Sequence, residues 1–175
     1  MRNLDIVYKV PCFDLVKDYI NNSVKQYSAK NAFTIKEIEN GETYYKNVSY
    51  HEFGKKIREF GSGLLRLGLR GKRIAIIAAN CYEWILTYIA VVSGVGVIVP
   101  LDKELTETEL LTSLERSKAE AVVFDTKHAD MVLSLEKEHG LGIKHFISTE
   151  KLWEHIPSVN EIAEAGSLFL KTNKS

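Results

Sequence analysis

Residues 72–102 read KRIAIIAANCYEWILTYIAVVSGVGVIVPLD, and this stretch decides the fold. The apolar run at 74–79 has the length and the β-branched content of a buried strand, and residues 81–93 read as a helix. A second apolar run at 95–101 follows that helix. Buried strands that alternate with helices are typical of parallel sheets covered on both faces. The stretch therefore predicts a β–α–β crossover at the centre of an α/β protein.

The same alternation continues toward the C-terminus. Residues 121–124 and 144–147 read as further buried strands, and residues 127–138 read as a helix between them. Capping boxes of the form Ser/Thr-x-x-Glu at 106–109 and 158–161 predict the starts of two more helices. The side chains predicted to face inward are Leu110, Leu111, Leu114, Met131, Val132 and Leu135.

The chain before residue 72 follows a different pattern. Residues 32–50 contain two alternating runs around Asn40 and Gly41, and this dipeptide favours a two-residue hairpin turn because both residues tolerate positive φ. Two amphipathic helices flank the hairpin, and Gly68 or Gly71 is expected to end the second of them. The apolar positions that define these helices are Phe13, Val16, Ile20, Val24 and Tyr27, and then Phe53, Ile57, Phe60, Leu64 and Leu67.

These patterns predict an α/β fold: a parallel sheet with helices on both faces, preceded by an N-terminal helix and a β-hairpin. The length of 175 residues suits one domain. We expect a single α/β unit over 1–175, with the leading helix and hairpin at 1–48. The parallel α/β core is expected at 49–148 and terminal helices at 149–175.

Composition argues against several classes of protein. The chain has 23 Lys+Arg and 23 Asp+Glu, and this balance is not that of a nucleic-acid binder. Cys12 and Cys81 lie too far apart for a metal pair, so we expect a reduced, cytoplasmic protein. The apolar stretch at 85–99 is shorter than the roughly 20 residues that a membrane span needs. We therefore expect no nucleic-acid partner and no transmembrane segment.

Gly94 and Gly96 suggest a nucleotide-binding loop but stand at the wrong end of the helix. The dinucleotide motif needs glycines after a strand, opening the helix whose N-terminus holds the pyrophosphate. Here the glycines follow a helix and precede a strand. We interpret them as helix-ending and close-packing residues, and we interpret Gly61 and Gly63, inside a predicted helix, as close-packing residues.

The start of the helix at 81–93 offers two further candidates. Asn80 is interpreted as its N-cap, with Glu83 reaching back to the cap. Such a helix start can bind anions, but Glu83 would repel a phosphate. Cys81 would occupy the first helical position, where the helix dipole can lower a thiol pKa. A reactive thiol stays open for Cys81, although a small packed residue is favoured.

No motif of known chemistry occurs in the sequence. The histidines form no H-x-x-x-H or H-E-x-x-H pattern, and neither G-x-S-x-G nor G-x-x-x-x-G-K-[ST] is present. Trp84 and Trp153 read as core or half-core aromatics. We therefore predict no catalytic, cofactor-binding or metal-binding residue. The histidines are His51, His128, His139, His145 and His155.

Several short segments between residues 48 and 124 carry a family likeness. They are Ser49-Tyr50 with Phe53, Leu64-x-x-Leu67-Gly68, Asn80-x-x-Glu83-Trp84, residues 94–102, and Ser117-Lys118-Ala119. Taken together, they resemble the opening part of the AMP-forming acyl-CoA synthetases, and most closely the bacterial long-chain fatty acid–CoA ligases.

The resemblance implies a two-step ligase. ATP activates a carboxylate as an acyl-adenylate with release of pyrophosphate, and the CoA thiol then takes the acyl group. It implies a fatty acid, ATP, Mg²⁺ and CoA for a full-length parent. It also implies a phosphate loop and a C-terminal catalytic lysine, and neither motif occurs in this sequence. We therefore expect an N-terminal fragment that is inactive by itself.

Other interpretations stay open. One is a stand-alone binding or assembly module of the same fold, without catalysis. Another is part of a ligase for a different carboxylic acid. Surfaces that would contact the rest of a longer protein are expected to be apolar and exposed, so we expect a homodimer through them. A parent that handles fatty acids would be cytoplasmic and peripheral to membranes.

Overall fold

The computed structural model describes residues 11–39, 41–151 and 153–172, and these ranges contain six α-helices and six strands. A π-helical turn, Val91–Val95, follows α3. None of the helices in these three ranges is long and apolar enough to cross a bilayer. The elements are α1 (Val16–Gln26), β1 (Asn31–Glu39), β2 (Glu42–Ser49), α2 (Tyr50–Arg66), β3 (Arg73–Ile77), α3 (Tyr82–Ala90), β4 (Val97–Pro100), α4 (Glu107–Ser117), β5 (Ala121–Phe124), α5 (Thr126–His139), β6 (His145–Ser148) and α6 (Val159–Thr172).

The central sheet has the strand order β4-β3-β5-β6, and all its strands are parallel. Both of its faces are buried, which explains the uninterrupted apolar runs in the sequence. Ile74 and Ile76 face a core formed with α2, α3 and α6. Ala75 and Ile77 face a second core formed with α4 and α5. The predicted α/β fold with helices on both faces is confirmed.

The predicted hairpin is confirmed as β1 and β2, which pair antiparallel with Glu39 opposite Glu42. Gly41 has φ +81°, the left-handed conformation that the turn requires. Asn40, the other predicted turn residue, lies outside the described residues. Phe33 of β1 anchors the hairpin to the rest of the fold. Its ring contacts Phe53 and Tyr82 at centroid distances of 4.8 and 5.4 Å.

Capping motifs define both ends of helix α2. Ser49 and Glu52 form a capping box, in which Ser49 N donates to Glu52 Oε2 at 2.8 Å. Gly68, with φ +79°, ends the helix, so the first of the two predicted stop residues is confirmed. The N–H groups of Gly68 and Leu69 donate to the carbonyls of Leu65 and Leu64, the pattern of a Schellman motif.

Helices α2 and α6 cross at two glycines with almost no space between their backbones. A Cβ on Gly166 would overlap the carbonyl oxygen of Glu59 and lie 2.6 Å from Gly63 N. Ser167 Oγ donates to Glu59 Oε1 at 2.8 Å across the same contact. The close-packing interpretation is thus confirmed for Gly63. It is wrong for Gly61, where a Cβ would have ordinary van der Waals room, 3.5 Å from Val95.

The two later capping boxes also form. Thr106 N donates to Glu109 Oε2 at 2.9 Å, and Ser158 N donates to Glu161 Oε2 at 2.9 Å. Of the terminal helices expected at 149–175, the described residues show one, α6. The inward-facing residues are confirmed as buried at Leu110, Leu114, Val132 and Leu135, and as half-buried at Leu111 and Met131.

The first helix is shorter than its sequence pattern predicts. Leu15 is extended and precedes α1, so Phe13 lies outside the helix. Tyr27 is the residue that ends it, with φ −116°. None of the α1 residues is fully buried, although Ile20 packs partly against the core. Helix α1 therefore rests on the surface of the fold instead of inserting a full apolar face.

Candidate functional site

The carboxyl ends of the four parallel strands meet at one edge of the sheet. The connection after β3 returns through α3 on one face, whereas the connection after β5 returns through α5 on the other. The topological switch point therefore lies between β3 and β5. In open α/β sheets, the crevice at such a point is the usual place for a ligand.

A buried Asp–His pair occupies this crevice. Asp125 follows β5 directly, and its Oδ2 accepts a hydrogen bond from Ala79 N at 2.8 Å. Its Oδ1 lies 2.5 Å from His128 Nδ1, and His128 Nε2 lies 2.9 Å from the carbonyl oxygen of Lys103. The carboxylate and the carbonyl are both acceptors, so each ring nitrogen of His128 faces an acceptor. One hydrogen-bonded Asp–His pair thus connects the segments that follow β3, β4 and β5.

The surroundings of Asp125 favour its charged form. Burial by itself would raise the pKa of Asp125, but hydrogen bonds from Ala79 N–H and from His128 outweigh it and hold the pKa below its ordinary value. Asp125 also accepts from His128 N at 3.2 Å as the N-cap of α5. The crevice at the switch point is therefore filled by a hydrogen-bonded pair of the protein's own side chains.

The sequence analysis does not predict this pair. The histidine patterns considered there concern metal ligands, whereas the signal for the pair is an Asp-x-x-His spacing directly after a strand. The spacing is that of an N-cap residue and the third residue of the following helix, which is how the two side chains meet. No three His, Cys, Asp or Glu side chains within 11–39, 41–151 and 153–172 are grouped so that they could hold a metal ion.

A groove runs beneath the hairpin beside this edge. It consists of two adjoining clefts of about 460 and 650 Å³ that share Ile35, Tyr82 and Glu83, and we call it the hairpin groove. The first cleft reaches the carboxyl edge, and the second runs along α2 and α6. Polar residues that line the first cleft are Thr34, Lys36, Asn80, Cys81, Thr149 and Glu150.

Glu83 is the carboxyl group that lines both clefts of the hairpin groove. Burial raises its pKa, and the negative charges of Glu150 and Glu37 add to the effect, whereas its own N–H and the Cys81 thiol partly offset it. Burial and the Glu83 charge also raise the pKa of Tyr82 to about 12. A carboxyl group whose pKa is raised in a cleft marks a candidate functional site. The hairpin groove is therefore the candidate functional site.

Two predictions at the start of α3 are wrong by one residue. The N-cap is Cys81, not Asn80, and the first helical residue is Tyr82. Asn80 is exposed. The pKa of Cys81 is raised, not lowered: burial is the main cause, the Glu83 charge adds to it, and the N–H groups of Trp84 and Glu83 offset only part of it. Burial thus has a larger effect on the pKa of Cys81 than the helix dipole has.

We predict that Cys81 reacts with iodoacetamide about tenfold more slowly than Cys12 at pH 8. Burial shields Cys81 and lowers its thiolate fraction, whereas Cys12 is exposed. Mass spectrometry of peptides from timed, quenched samples would give both rates. The urea-unfolded chain is the control, because the two rates should then converge. Faster labelling of Cys81 in the folded chain would restore the reactive-thiol interpretation.

Gly94 and Gly96, which follow α3, are required by backbone conformation and close packing, as the sequence predicts. Gly94 has φ +132° inside the π-helical turn, a conformation that side chains rarely permit. A Cβ on Gly96 would overlap the carbonyl oxygen of Lys72. Both the helix-ending and the close-packing interpretations are confirmed. Trp84 and Trp153 are half-buried, and Trp84 stacks on Tyr88 at 5.5 Å.

The chain belongs to the AMP-binding enzyme family, whose pattern it matches over residues 20–165. It is 28% identical to a mitochondrial medium-chain acyl-CoA ligase of Danio rerio over 130 residues, which are 70% of this chain and 22% of the relative. A solved long-chain fatty acid–CoA ligase of Archaeoglobus fulgidus has the same fold with a TM-score of 0.73 and 18% identity, covering 91% of this chain and 33% of that one.

A benzoate–CoA ligase of Burkholderia xenovorans is similarly close in fold. Its TM-score is 0.71 at 19% identity, covering 87% of this chain and 29% of the benzoate enzyme. The chain spans between 3% and 22% of the curated relatives that it matches. The family and the fold are thereby established, and the relatives are much longer proteins.

Proposed function

We propose that the chain forms the N-terminal portion of an ATP-dependent acyl-CoA ligase of the fatty acid type. Such an enzyme converts a carboxylate and ATP into an acyl-adenylate and then forms a thioester with CoA. The observation that carries the proposal is the family match over residues 20–165. The 28% identity to a medium-chain acyl-CoA ligase over 70% of the chain supports the substrate class.

Residues 1–175 are proposed to form one α/β unit that supplies a wall of the parent's active site and no catalytic group. Two observations support this. The crevice at the switch point is filled by the Asp125–His128 pair, and the sequence contains no glycine-rich loop with a lysine for the phosphates of ATP. The unpaired Cys12 and Cys81 agree with a cytoplasmic location.

The 175-residue chain is predicted to give no ATP–pyrophosphate exchange above background when fatty acid, ATP and Mg²⁺ are supplied. Charge-stabilising groups around the transferring phosphoryl oxygens are required for that step. Radiolabelled pyrophosphate incorporated into ATP is the measurement, and the product of the complete reading frame is the positive control. Exchange by the 175-residue chain would contradict the proposal.

The identity of the acid is a separate part of the proposal. The benzoate enzyme and the long-chain enzyme match the fold almost equally, with TM-scores of 0.71 and 0.73. Ligation of another carboxylic acid is therefore the second candidate. Exchange assays on the complete reading frame with palmitate, octanoate and benzoate would rank these acids.

A stand-alone assembly module is the alternative from a different class. It is supported by apolar residues that α1, its flank and α6 expose to solvent. We propose that these surfaces allow a homodimer, which analytical ultracentrifugation would detect as a mass that rises with concentration. The residues concerned are Phe13, Leu15, Val16, Tyr19, Leu168 and Phe169.

A further inference from the structure

A third cleft lies between α1, α2 and the π-helical turn, and we call it the α1–α2 cleft. Its volume is about 330 Å³, at the lower end of the ~300–1,000 Å³ usual for ligand pockets. Most of its wall is apolar, with Ile20 from α1, Ile57 and Leu65 from α2, and Val95 from the turn. A cleft of this size suits a medium-length apolar chain better than a long one.

Two cations stand at the α1–α2 cleft without acidic partners. Lys17 and Arg58 both line it, both are exposed, and none of its lining residues is acidic. Within the described ranges, neither side chain forms an ion pair or a hydrogen bond, whereas Lys46, Lys55 and Lys72 are paired with carboxylates. Unopposed charges of one sign attract an anion, and the guanidinium fork suits a carboxylate or a phosphate.

The π-helical turn adds a polar group to the same cleft. Ser93 lines the cleft, and its Oγ is buried without a hydrogen-bond partner among the described residues. A buried hydroxyl group that lacks a partner is unfavourable, and rotation of the Ser93 side chain toward a ligand oxygen in the cleft would supply one. The buried hydroxyl group is independent of the two surface cations and indicates the same kind of ligand.

We propose that the α1–α2 cleft binds an amphiphile with one anionic head group and a medium-length apolar chain. The chain packs on Ile20, Ile57 and Leu65, and the head group lies near Lys17 and Arg58. The site goes beyond the proposed ligase activity, because its residues belong to α1, α2, the π-helical turn and the ends of neighbouring helices, not to the carboxyl edge of the sheet.

Sodium decanoate is the probe, titrated into the 175-residue chain by calorimetry and by amide NMR. We expect saturable binding with the largest amide shifts at Ser93 and Gly94. The double variant Lys17→Gln/Arg58→Gln should bind about tenfold more weakly, the loss expected for two solvent-exposed charge contacts. The matched control Lys25→Gln/Arg70→Gln removes the same net charge from exposed positions outside the cleft and should bind like the wild type.

Further ligands test the contributions of the charged head group and of the apolar chain separately. Decanol lacks the charge and butyrate lacks the chain, so both should bind at least tenfold more weakly than decanoate. Decyl phosphate distinguishes a phosphate head group from a carboxylate, and tight binding of either anion supports the site. Ser93→Ala should weaken decanoate binding about threefold without lowering the melting temperature, because the hydroxyl group has no partner to lose.

Three results would overturn the proposal. They are equal binding of decanol and decanoate, equal binding by the two double variants, and amide shifts centred away from the π-helical turn. None of these measurements requires adenylation or thioester formation. A failure here is therefore distinguishable from a failure of the proposed ligase function.

Discussion

Gly166→Ala is expected to destabilise the chain by about 3 kcal/mol, the upper range for overpacking. The new methyl group would overlap the carbonyl oxygen of Glu59 and press on Gly63 N. Because these are backbone atoms, only separation of α2 from α6 can make room. That movement would also break the hydrogen bond between Ser167 and Glu59. For a chain of this length, the melting temperature should fall by roughly 10 °C.

Gly61→Ala is the matched control for this prediction. Both glycines lie inside helices, but a Cβ on Gly61 would make an ordinary contact with Val95. Alanine should therefore stabilise α2 by about 0.5–1 kcal/mol through its helix propensity. Urea unfolding followed by tryptophan fluorescence gives both values. A Gly166→Ala midpoint equal to that of the wild type would mean that α6 does not rest on α2 as described.

Asp125→Ala is expected to cost a similar amount, about 3 kcal/mol at pH 7, for a different reason. The substitution leaves His128 Nδ1 and the N–H of Ala79 without their hydrogen-bond partner. Removing one partner of a buried pair costs more than the pair itself contributes. Asp125→Asn should lose less, because an amide oxygen still caps α5. The control is Asp130→Ala on the exposed face of the same helix, with no expected change.

The effect of Asp125→Ala should depend on pH in a defined direction. The pKa of Asp125 in the folded chain lies below its ordinary value of 3.8, so the folded state favours the carboxylate. The stabilisation is therefore fully present above pH 4 and is lost as the pH falls from there through the folded pKa. Unfolding curves at pH 7, 5 and 3 should show the difference between wild type and variant shrinking at the lowest pH. A constant difference would contradict this role of the carboxylate.

The elements of this fold were predictable because their signals are local. Residues 121–124 form β5 with the predicted bounds, and the boxes at 106–109 and 158–161 start helices where expected. Capping and apolar runs act between residues a few positions apart, so they can be read from one sequence. The wrong N-cap prediction for α3 also has a local cause. Asparagine is preferred at N-cap positions, so Asn80 is a better candidate than the cysteine that follows it.

The candidate sites were not predictable to the same extent, because they depend on distant partners. Asp125 bonds to Ala79, 46 positions away, and His128 to the carbonyl of Lys103, 25 positions away. Only the strand order brings these segments together, and a single sequence does not give that order. The hairpin groove likewise needs β1 to lie beside α3. The resemblance of residues 48–124 to a known family supplied the function class that these separate motifs lacked.

The strand order also determines when each strand can pair with its neighbours during synthesis. Strand β3 can pair with β4 early, but its other edge must wait for β5, which begins at Ala121. At roughly 5–20 residues per second, that edge stays open for several seconds after β3 leaves the ribosome. An apolar strand with an open edge pairs readily with other chains. Yield of the intact protein should therefore depend on how quickly the ribosome delivers residues 78–124.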